Sequence, residues 1–188
     1  MPSTEIHRSL IEQAAKGNAQ AMKELYQLYS RSMFNVCCRI MSNRTDAEDM
    51  LQEVFIDVFA KLSSFRFEST FGAWIKRIAV NKCINELRRA KVQLEYTDTH
   101  IQEPSDDADT DYEEDTTLSV ERIKNAMGLL PDGYRVVFSL YMLEGYDHDE
   151  ISAILNISSS TSKTQLLRAK KKLIELMRTS QEIPSIPL

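Results

Sequence analysis

Residues 158–177 read SSSTSKTQLLRAKKKLIELM. Wound as a helix, the stretch divides into two sides. Leu166, Leu167, Ala169, Leu173, Ile174, Leu176 and Met177 gather on one, and Thr161, Thr164, Gln165, Arg168, Lys171, Lys172 and Glu175 on the other, with Lys163 and Lys170 on the border. One reading is a solvated amphipathic helix with a lysine-rich face. The other is a helix whose hydroxyls, amide and cations meet base edges and phosphates in a major groove. Its neighbours decide between them.

Immediately upstream, Asp147-His148-Asp149-Glu150 has the spacing of a capping box with Asp147 at the N-cap. It opens a short helix expected to bury Ile151, Ile154 and Leu155, and Asn156-Ile157-Ser158 is a tight turn. A short helix, a three-residue turn and a longer helix with a basic face make a helix-turn-helix. Further upstream the helical pattern runs from Leu118 to about Leu129. Leu130-Pro131-Asp132 opens another helix, whose Val136, Val137, Phe138, Leu140, Tyr141 and Leu143 read as a nearly all-round core closed by Gly145. Residues 179–188 hold two prolines and read as a disordered tail.

Residues 94–117 lack apolar periodicity and read as a flexible acidic linker. Residues 92–117 hold ten carboxylates and no Lys or Arg, so the net charge of −5 becomes about +5 once they are set aside. Residues 74–91 and 159–178 each carry six cations against one glutamate. This segregation predicts two basic surfaces joined by an acidic spacer.

The N-terminal part reads as a second helical domain. Helices are expected over 5–16, 19–41, 45–62 and 71–91, with Thr45 as the N-cap of the third and Glu48 completing a capping box. In 19–41, Met22, Leu25, Leu28, Tyr29, Met33, Val36, Cys37 and Ile40 repeat at helical spacing, so the cysteines read as small core residues. In 45–62 a broad apolar face opposes Asp46, Asp49, Gln52, Glu53 and Asp57, and Ile56 lies in the middle of that acidic side. Ile56 is either a tolerated exposed apolar residue or the centre of a partner-binding face with a charged surround. The loop with Phe65, Arg66 and Phe67 opens a helix carrying Lys76, Arg77, Asn81, Lys82, Arg88 and Arg89. Aromatic faces beside cations suit unpaired bases and their phosphates, whereas Phe71 and Trp74 also read as core.

The 188-residue chain is 43% hydrophobic and 27% charged, with few Gly and Pro, as expected of a mostly helical folded protein. No apolar run reaches the roughly 20 residues of a membrane span, so no membrane insertion is expected, and the N-terminus has no secretion signal. Three cysteines without a spacing ladder predict reduced thiols and a cytoplasmic protein. His7, His100 and His148 are scattered without partners at metal-ligand spacing, so neither a metal site nor a cofactor is expected. No nucleophile–base pair and no glycine-rich phosphate loop is found, which argues against an enzyme.

The chain resembles a bacterial RNA polymerase sigma factor of the extracytoplasmic-function (ECF) group in the sigma-70 family. Asp46-Ala47-Glu48-Asp49-Met50-Leu51-Gln52-Glu53-Val54-Phe55 is similar to that group's DAEDLxQEVF, and Phe71 to Arg89 is similar to its TWLxxIAxNxxxDxxRR. Leu130-Pro131, Arg135, Phe138, Glu144-Gly145-Tyr146 and Glu150-Ile151 fit LPxxxRxVFxLxxxEGYxxxEIA; Thr161, Lys163 and Arg168-Ala169-Lys170 fit TVKSRLxRAR.

The resemblance implies an all-α fold of two small helical domains. Residues 1–93 would be sigma region 2, which docks on core polymerase and reads the melted −10 element; residues 118–178 would be region 4, whose helix-turn-helix reads the −35 duplex. It implies polymerase contacts at Asp46, Asp49, Gln52, Glu53, Ile56 and Asp57, and −10 contacts at Arg66, Phe67, Lys76, Arg77, Asn81, Arg88 and Arg89. On the −35 element it implies Thr161, Lys163, Thr164, Gln165, Arg168, Lys170, Lys171 and Lys172. The implied partners are core RNA polymerase, promoter DNA and an anti-sigma factor. The sequence departs from the group's pattern at Asn85, Ser152, Ser160, Ser162, Thr164 and Gln165. Gln165 in place of an arginine predicts a preference for adenine over guanine. A two-domain helix-turn-helix regulator accounts only for residues 118–178, and a sigma-like adaptor without promoter activity is a further alternative.

Overall fold

The computed structural model describes residues 6–41, 43–89 and 120–179, apart from the side chains of Glu121 and Thr179. The expected linker over 94–117 lies outside them, as does the expected tail over 179–188 except Thr179, which ends a helix. The chain divides into two compact units, Met1–Leu94 and Glu95–Leu188. Every regular element among the described residues is helical.

The first unit holds α1 (Arg8–Ala15), α2 (Ala19–Met41), α3 (Arg44–Lys61), a 3₁₀ turn (Leu62–Ser64) and α4 (Phe71–Arg89). α2 packs on both α3 and α4, which also pack on each other, and α1 lies against α2. The core they share includes Leu25, Val36, Cys37 and Ile40 of α2, Ala47, Val54 and Val58 of α3, and Phe71, Ile75, Ala79 and Cys83 of α4. Leu28, assigned to that core by periodicity, is 52% exposed. Cys37 and Cys83 are buried, and a side-chain hydrogen bond between them, with burial, pushes the Cys83 thiol far up. Cys38 is half-buried.

The N-cap of α3 is corrected. Asn43, not Thr45, caps it: its side chain accepts from Thr45 N at 2.9 Å. Glu48 pairs with Arg44 Nε at 2.9 Å instead of reaching back to Thr45. Both T-x-x-E and N-R-T satisfy N-cap chemistry, and the helix is capped two residues earlier because Asn43 holds extended backbone and accepts well. At the other boundaries, Gly17 takes φ +88 after α1, a conformation that costs a residue with Cβ.

The second unit holds α5 (Val120–Gly128), α6 (Asp132–Phe138), a π-helical turn (Ser139–Leu143), α7 (His148–Leu155) and α8 (Ser159–Thr179). α8 packs against α5, α6 and α7. Arg135 is 3% exposed; its Nη1 donates to Leu130 O at 3.1 Å and its Nη2 pairs with Asp132, so a buried cation holds the turn that starts α6. Its charge is compensated where it is buried, as it must be. The expected continuous helix through Leu143 is instead interrupted: Glu144 N bonds Ser139 O at 3.0 Å, a π spacing. Val136, Val137, Phe138 and Leu140 are buried as expected, while Tyr141 and Leu143 are 37% and 47% exposed, turned outward by the wider turn. The capping box of α7 is present, with Asp147 accepting from Glu150 N at 2.8 Å and Glu150 accepting from Asp147 N at 2.9 Å. Asn156 ends α7 in the left-handed region at φ 56, which asparagine tolerates better than most residues.

Candidate nucleic-acid interface

The helix-turn-helix arises from local chemistry. Ser152 Oγ donates to Ile157 O at 2.6 Å across the turn. Ser158 Oγ accepts from Thr161 N at 2.9 Å and caps the start of α8. His148 Nδ1 meets Ser162 Oγ at 2.9 Å, tying the first turn of α7 to the first turn of α8. The His148 ring stacks on Tyr141 at 4.5 Å. Burial, then the nearby positive charge of Lys163, lowers the pKa of His148 and favours the neutral ring.

The side of α8 turned inward differs from the one expected from sequence. Thr161 and Gln165, expected in the groove, are 5% and 1% exposed and face the domain interior with Ser162, Leu166, Ala169 and Leu173. Among the described residues, Gln165 Oε1 has no hydrogen-bond partner. The expected contact of Gln165 with adenine does not fit this placement, because a side chain so enclosed does not reach a base edge. The solvent face instead carries Ser160, Lys163, Thr164, Leu167, Lys170, Lys171 and Ile174, with Arg168 at its half-buried margin. Lys172 is half-buried and donates to Glu175 at 2.8 Å. Leu167, assigned to the core from sequence, is 43% exposed near the middle of this cationic face. Thr164 Oγ1 donates to Ser160 O at 3.0 Å, so its proton is engaged by the backbone and its methyl and lone pairs remain for a ligand.

In the first unit, Asp46, Asp49, Gln52, Glu53 and Ile56 all lie on the exposed side of α3, and Ile56 is 67% exposed. Asp57 is half-buried between Lys61 and Lys82, each with Nζ 3.2 Å from a carboxylate oxygen. Burial raises the Asp57 pKa, but hydrogen bonds from the two lysines outweigh it, and the net direction is down. Lys82 also meets Glu53 at 3.2 Å. Asn81 and Arg89 of α4 line one cleft of about 300 Å³ with Glu53, Asp57 and Lys82, so residues expected to contact DNA and polymerase share this cleft.

The loop before α4 is aromatic and tightly made. Phe65 is buried and packs against Phe67, Phe71 and Trp74 at centroid distances of 4.8, 5.6 and 5.2 Å. Phe67 is half-buried with φ 59, which is rare for a bulky residue and marks local strain. Arg66, Arg77, Asn81, Arg88 and Arg89 are exposed and Lys76 is half-buried; Arg89 pairs with Glu86 at 3.1 Å. The sequence reading missed Arg8 of α1, whose guanidinium lies 4.6 Å from the Phe67 ring centroid. The two lie 59 positions apart in sequence, and no local periodicity links them.

Among the described residues, no cluster of three or more His, Cys, Asp or Glu side chains could hold a metal ion, and no helix is long and apolar enough to cross a membrane.

Residues 25–92 match the family described as Sigma-70 region 2, and residues 120–173 match Sigma-70, region 4. The chain is 31% identical over 178 residues to the ECF RNA polymerase sigma factor SigW of Bacillus subtilis, covering 89% of this chain and 95% of that one. It is 28% identical over 177 residues to the ECF RNA polymerase sigma-E factor of Haemophilus influenzae, covering 87% and 91%. Among solved structures, CnrH in complex with the cytosolic domain of CnrY is similar at TM-score 0.54 and 25% identity, covering 92% of this chain and 97% of that one. The sigma factor RpoE in complex with the anti-sigma factor NepR, from Bartonella quintana, shares the fold at TM-score 0.55 and 23% identity, covering 83% and 96%. With region 2 in its first helical unit, region 4 in its second and SigW as a relative along most of its length, the chain belongs to the extracytoplasmic-function group of sigma-70 family sigma factors, transcription initiation factors that direct RNA polymerase to promoters and are not enzymes.

Proposed function

We propose that this sigma factor reads its promoter in two parts, the −35 element as duplex through α8 and the −10 element as melted strand through the Phe65–Thr70 loop and α4, while α3 docks on core polymerase. The proposed domain limits are 1–93 for polymerase and −10 contacts, 94–117 as a linker, 118–178 for −35 contacts and 179–188 as a tail, with α8 itself running on to Thr179. The observation that carries the reading is the solvent face of α8, where Lys163, Thr164, Leu167, Arg168 and Lys171 converge next to the capped turn from α7. In the groove, Thr164 and Leu167 would face base edges while Lys163, Arg168, Lys170 and Lys171 meet phosphates. On α3, Ile56 would be the apolar centre of an interface ringed by Asp46, Asp49, Gln52 and Glu53. On α4, Lys76, Arg77, Arg88 and Arg89 would follow the phosphates of the displaced strand.

The reading places the protein in the cytoplasm with core polymerase and promoter DNA as partners. Because CnrH and Bartonella RpoE were solved with CnrY and with an anti-sigma factor, an anti-sigma partner is proposed here too.

Run-off transcription with core polymerase over a promoter library is the test. Sequence-dependent transcripts are expected from the wild type. Ile56→Asp, a change at an exposed position, is expected to lose co-purification with core polymerase while keeping its helical circular dichroism. A mutant that co-purifies like the wild type overturns the α3 assignment, and a wild type that binds polymerase but initiates nowhere in the library overturns the promoter reading.

A further inference from the structure

Arg8 is the first residue of α1, ahead of the segment 25–92 that matches sigma region 2. Its guanidinium sits 4.6 Å from the centroid of Phe67, the half-buried ring at the exposed end of the aromatic loop. The Phe67 ring is also in contact with Phe65, whose ring is 4.8 Å away at an interplanar angle of 53°. Phe65 is itself anchored on Phe71 and Trp74, and the order Phe71, Phe65, Phe67, Arg8 runs outward from the core. The Arg8 side chain is 65% exposed, and Nε is held by Glu12 Oε1 at 2.9 Å. The ion pair neutralises part of its charge and steadies its plane, and leaves the guanidinium open to solvent.

We propose that Arg8 is a base-binding residue: its guanidinium is the outermost platform of the aromatic loop, and an unpaired base of the melted element stacks on Arg8 rather than directly on Phe67. The proposal rests on the assignment of this loop to the melted strand. A base that stacked on the covered side of Phe67 would have to displace Arg8 and forfeit a cation–π contact. A base laid on the outer side of the guanidinium keeps that contact and adds a second one, since arginine planes stack on bases as aromatic rings do. Phe67 holds a positive φ of 59 while its ring lies under the Arg8 guanidinium, and strained backbone of this kind is found at functional sites.

The test uses the full chain assembled with core polymerase and fluorescein-labelled single-stranded oligonucleotides. They carry the non-template strand of a promoter selected from the run-off library, each also made with single abasic positions across the upstream edge of the −10 element. Arg8→Ala and Arg8→Lys are compared with the wild type. Both are expected to weaken binding about tenfold, because lysine keeps the charge but loses the plane. The loss is expected to vanish on one particular abasic probe, where there is no base left to stack. Arg8→Lys binding at wild-type strength would make Arg8 a phosphate contact and overturn the proposal. Tighter binding by Arg8→Ala would make it a cover over Phe67 and overturn it as well. Equal loss on every abasic probe would do the same. A wild-type holoenzyme that binds none of the oligonucleotides would instead overturn the loop assignment underneath. Arg8 is exposed and outside the core, and a thermal melt of each variant separates misfolding from lost binding.

Discussion

Lys82 Nζ lies 3.2 Å from Asp57 Oδ1, joining α4 to α3 on the side where the core of the first unit meets solvent. The same ammonium reaches Glu53 at 3.2 Å. Burial lowers the Lys82 pKa, but hydrogen bonds to Asp57 and Glu53 outweigh it and the net direction is up. Lys82→Ala is expected to cost about 0.5 kcal/mol in urea unfolding, the scale of a partly exposed ion pair. The Asp57 pKa is depressed, so its contribution is present above about pH 4 and is lost as pH falls through its lower folded value. The Lys82 pKa is raised, so its contribution is present below about pH 10 and is lost as pH rises through its higher folded value. Urea titrations of wild type and Lys82→Ala from acid to neutral pH should converge at the acid end; a gap that persists unchanged there counts against the pairing as its source.

Gln165 is 1% exposed, and its Oε1 has no hydrogen-bond partner among the described residues. Gln165→Ala should therefore destabilise the second unit by about 1–3 kcal/mol by opening a cavity. Gln165→Met keeps the volume and removes the unsatisfied oxygen, so its melting temperature should equal or exceed that of the wild type. Neither change should alter which base is preferred at any −35 position in a binding selection; a switch of preference would place the amide in the groove after all.

Leu167 and the Thr164 methyl make an apolar spot in the cationic face of α8, and the apolar feature of a major groove is the thymine methyl. Leu167→Ala is expected to weaken binding of a selected −35 duplex by about fourfold, the worth of roughly one buried methyl. Replacing the contacted thymine with deoxyuridine should produce the same loss in the wild type and no further loss in the mutant. Additive losses would show that the two groups do not touch.

His148 stacks on Tyr141 and bonds Ser162, and its pKa is lowered by burial and then by Lys163. A histidine that resists protonation when folded costs stability once the unfolded chain takes up the proton. The melting temperature of the second unit should fall as pH drops through about 6.5 and level off below the lower folded value. In His148→Asn that acid-side fall should be reduced; an unchanged profile would trace it to other groups.

Much of this architecture is legible in residue order. The apolar face of α3, the exposed Ile56, the Asp147 capping box and the Asn156 turn all follow from patterns within one or two helical turns, where spacing and side-chain chemistry act directly. Three features lie beyond that range. The rotation of α8 is not legible locally because apolar side chains occupy both its inward and its solvent side, and the inward set, Leu166, Ala169 and Leu173 with Ser162 and Gln165, is defined only by packing against α5, α6 and α7. The cap of α3 was ambiguous because two acceptable capping patterns overlap at Asn43 and Thr45. Arg8 meets Phe67 only through the packing of α1 against the following elements, which no local period encodes.

The π turn at Ser139–Leu143 holds one residue more per turn than an α-helix would. That surplus is a register allowance. Removing a single residue there would let α6 run on as a regular helix, but would swing everything after it by about a third of a turn, carrying Tyr141 away from His148 and α7 away from its seat on α8. Adding or deleting one residue in this segment is thus a lever on the orientation of α7 and α8 relative to α6 that alters none of their side chains.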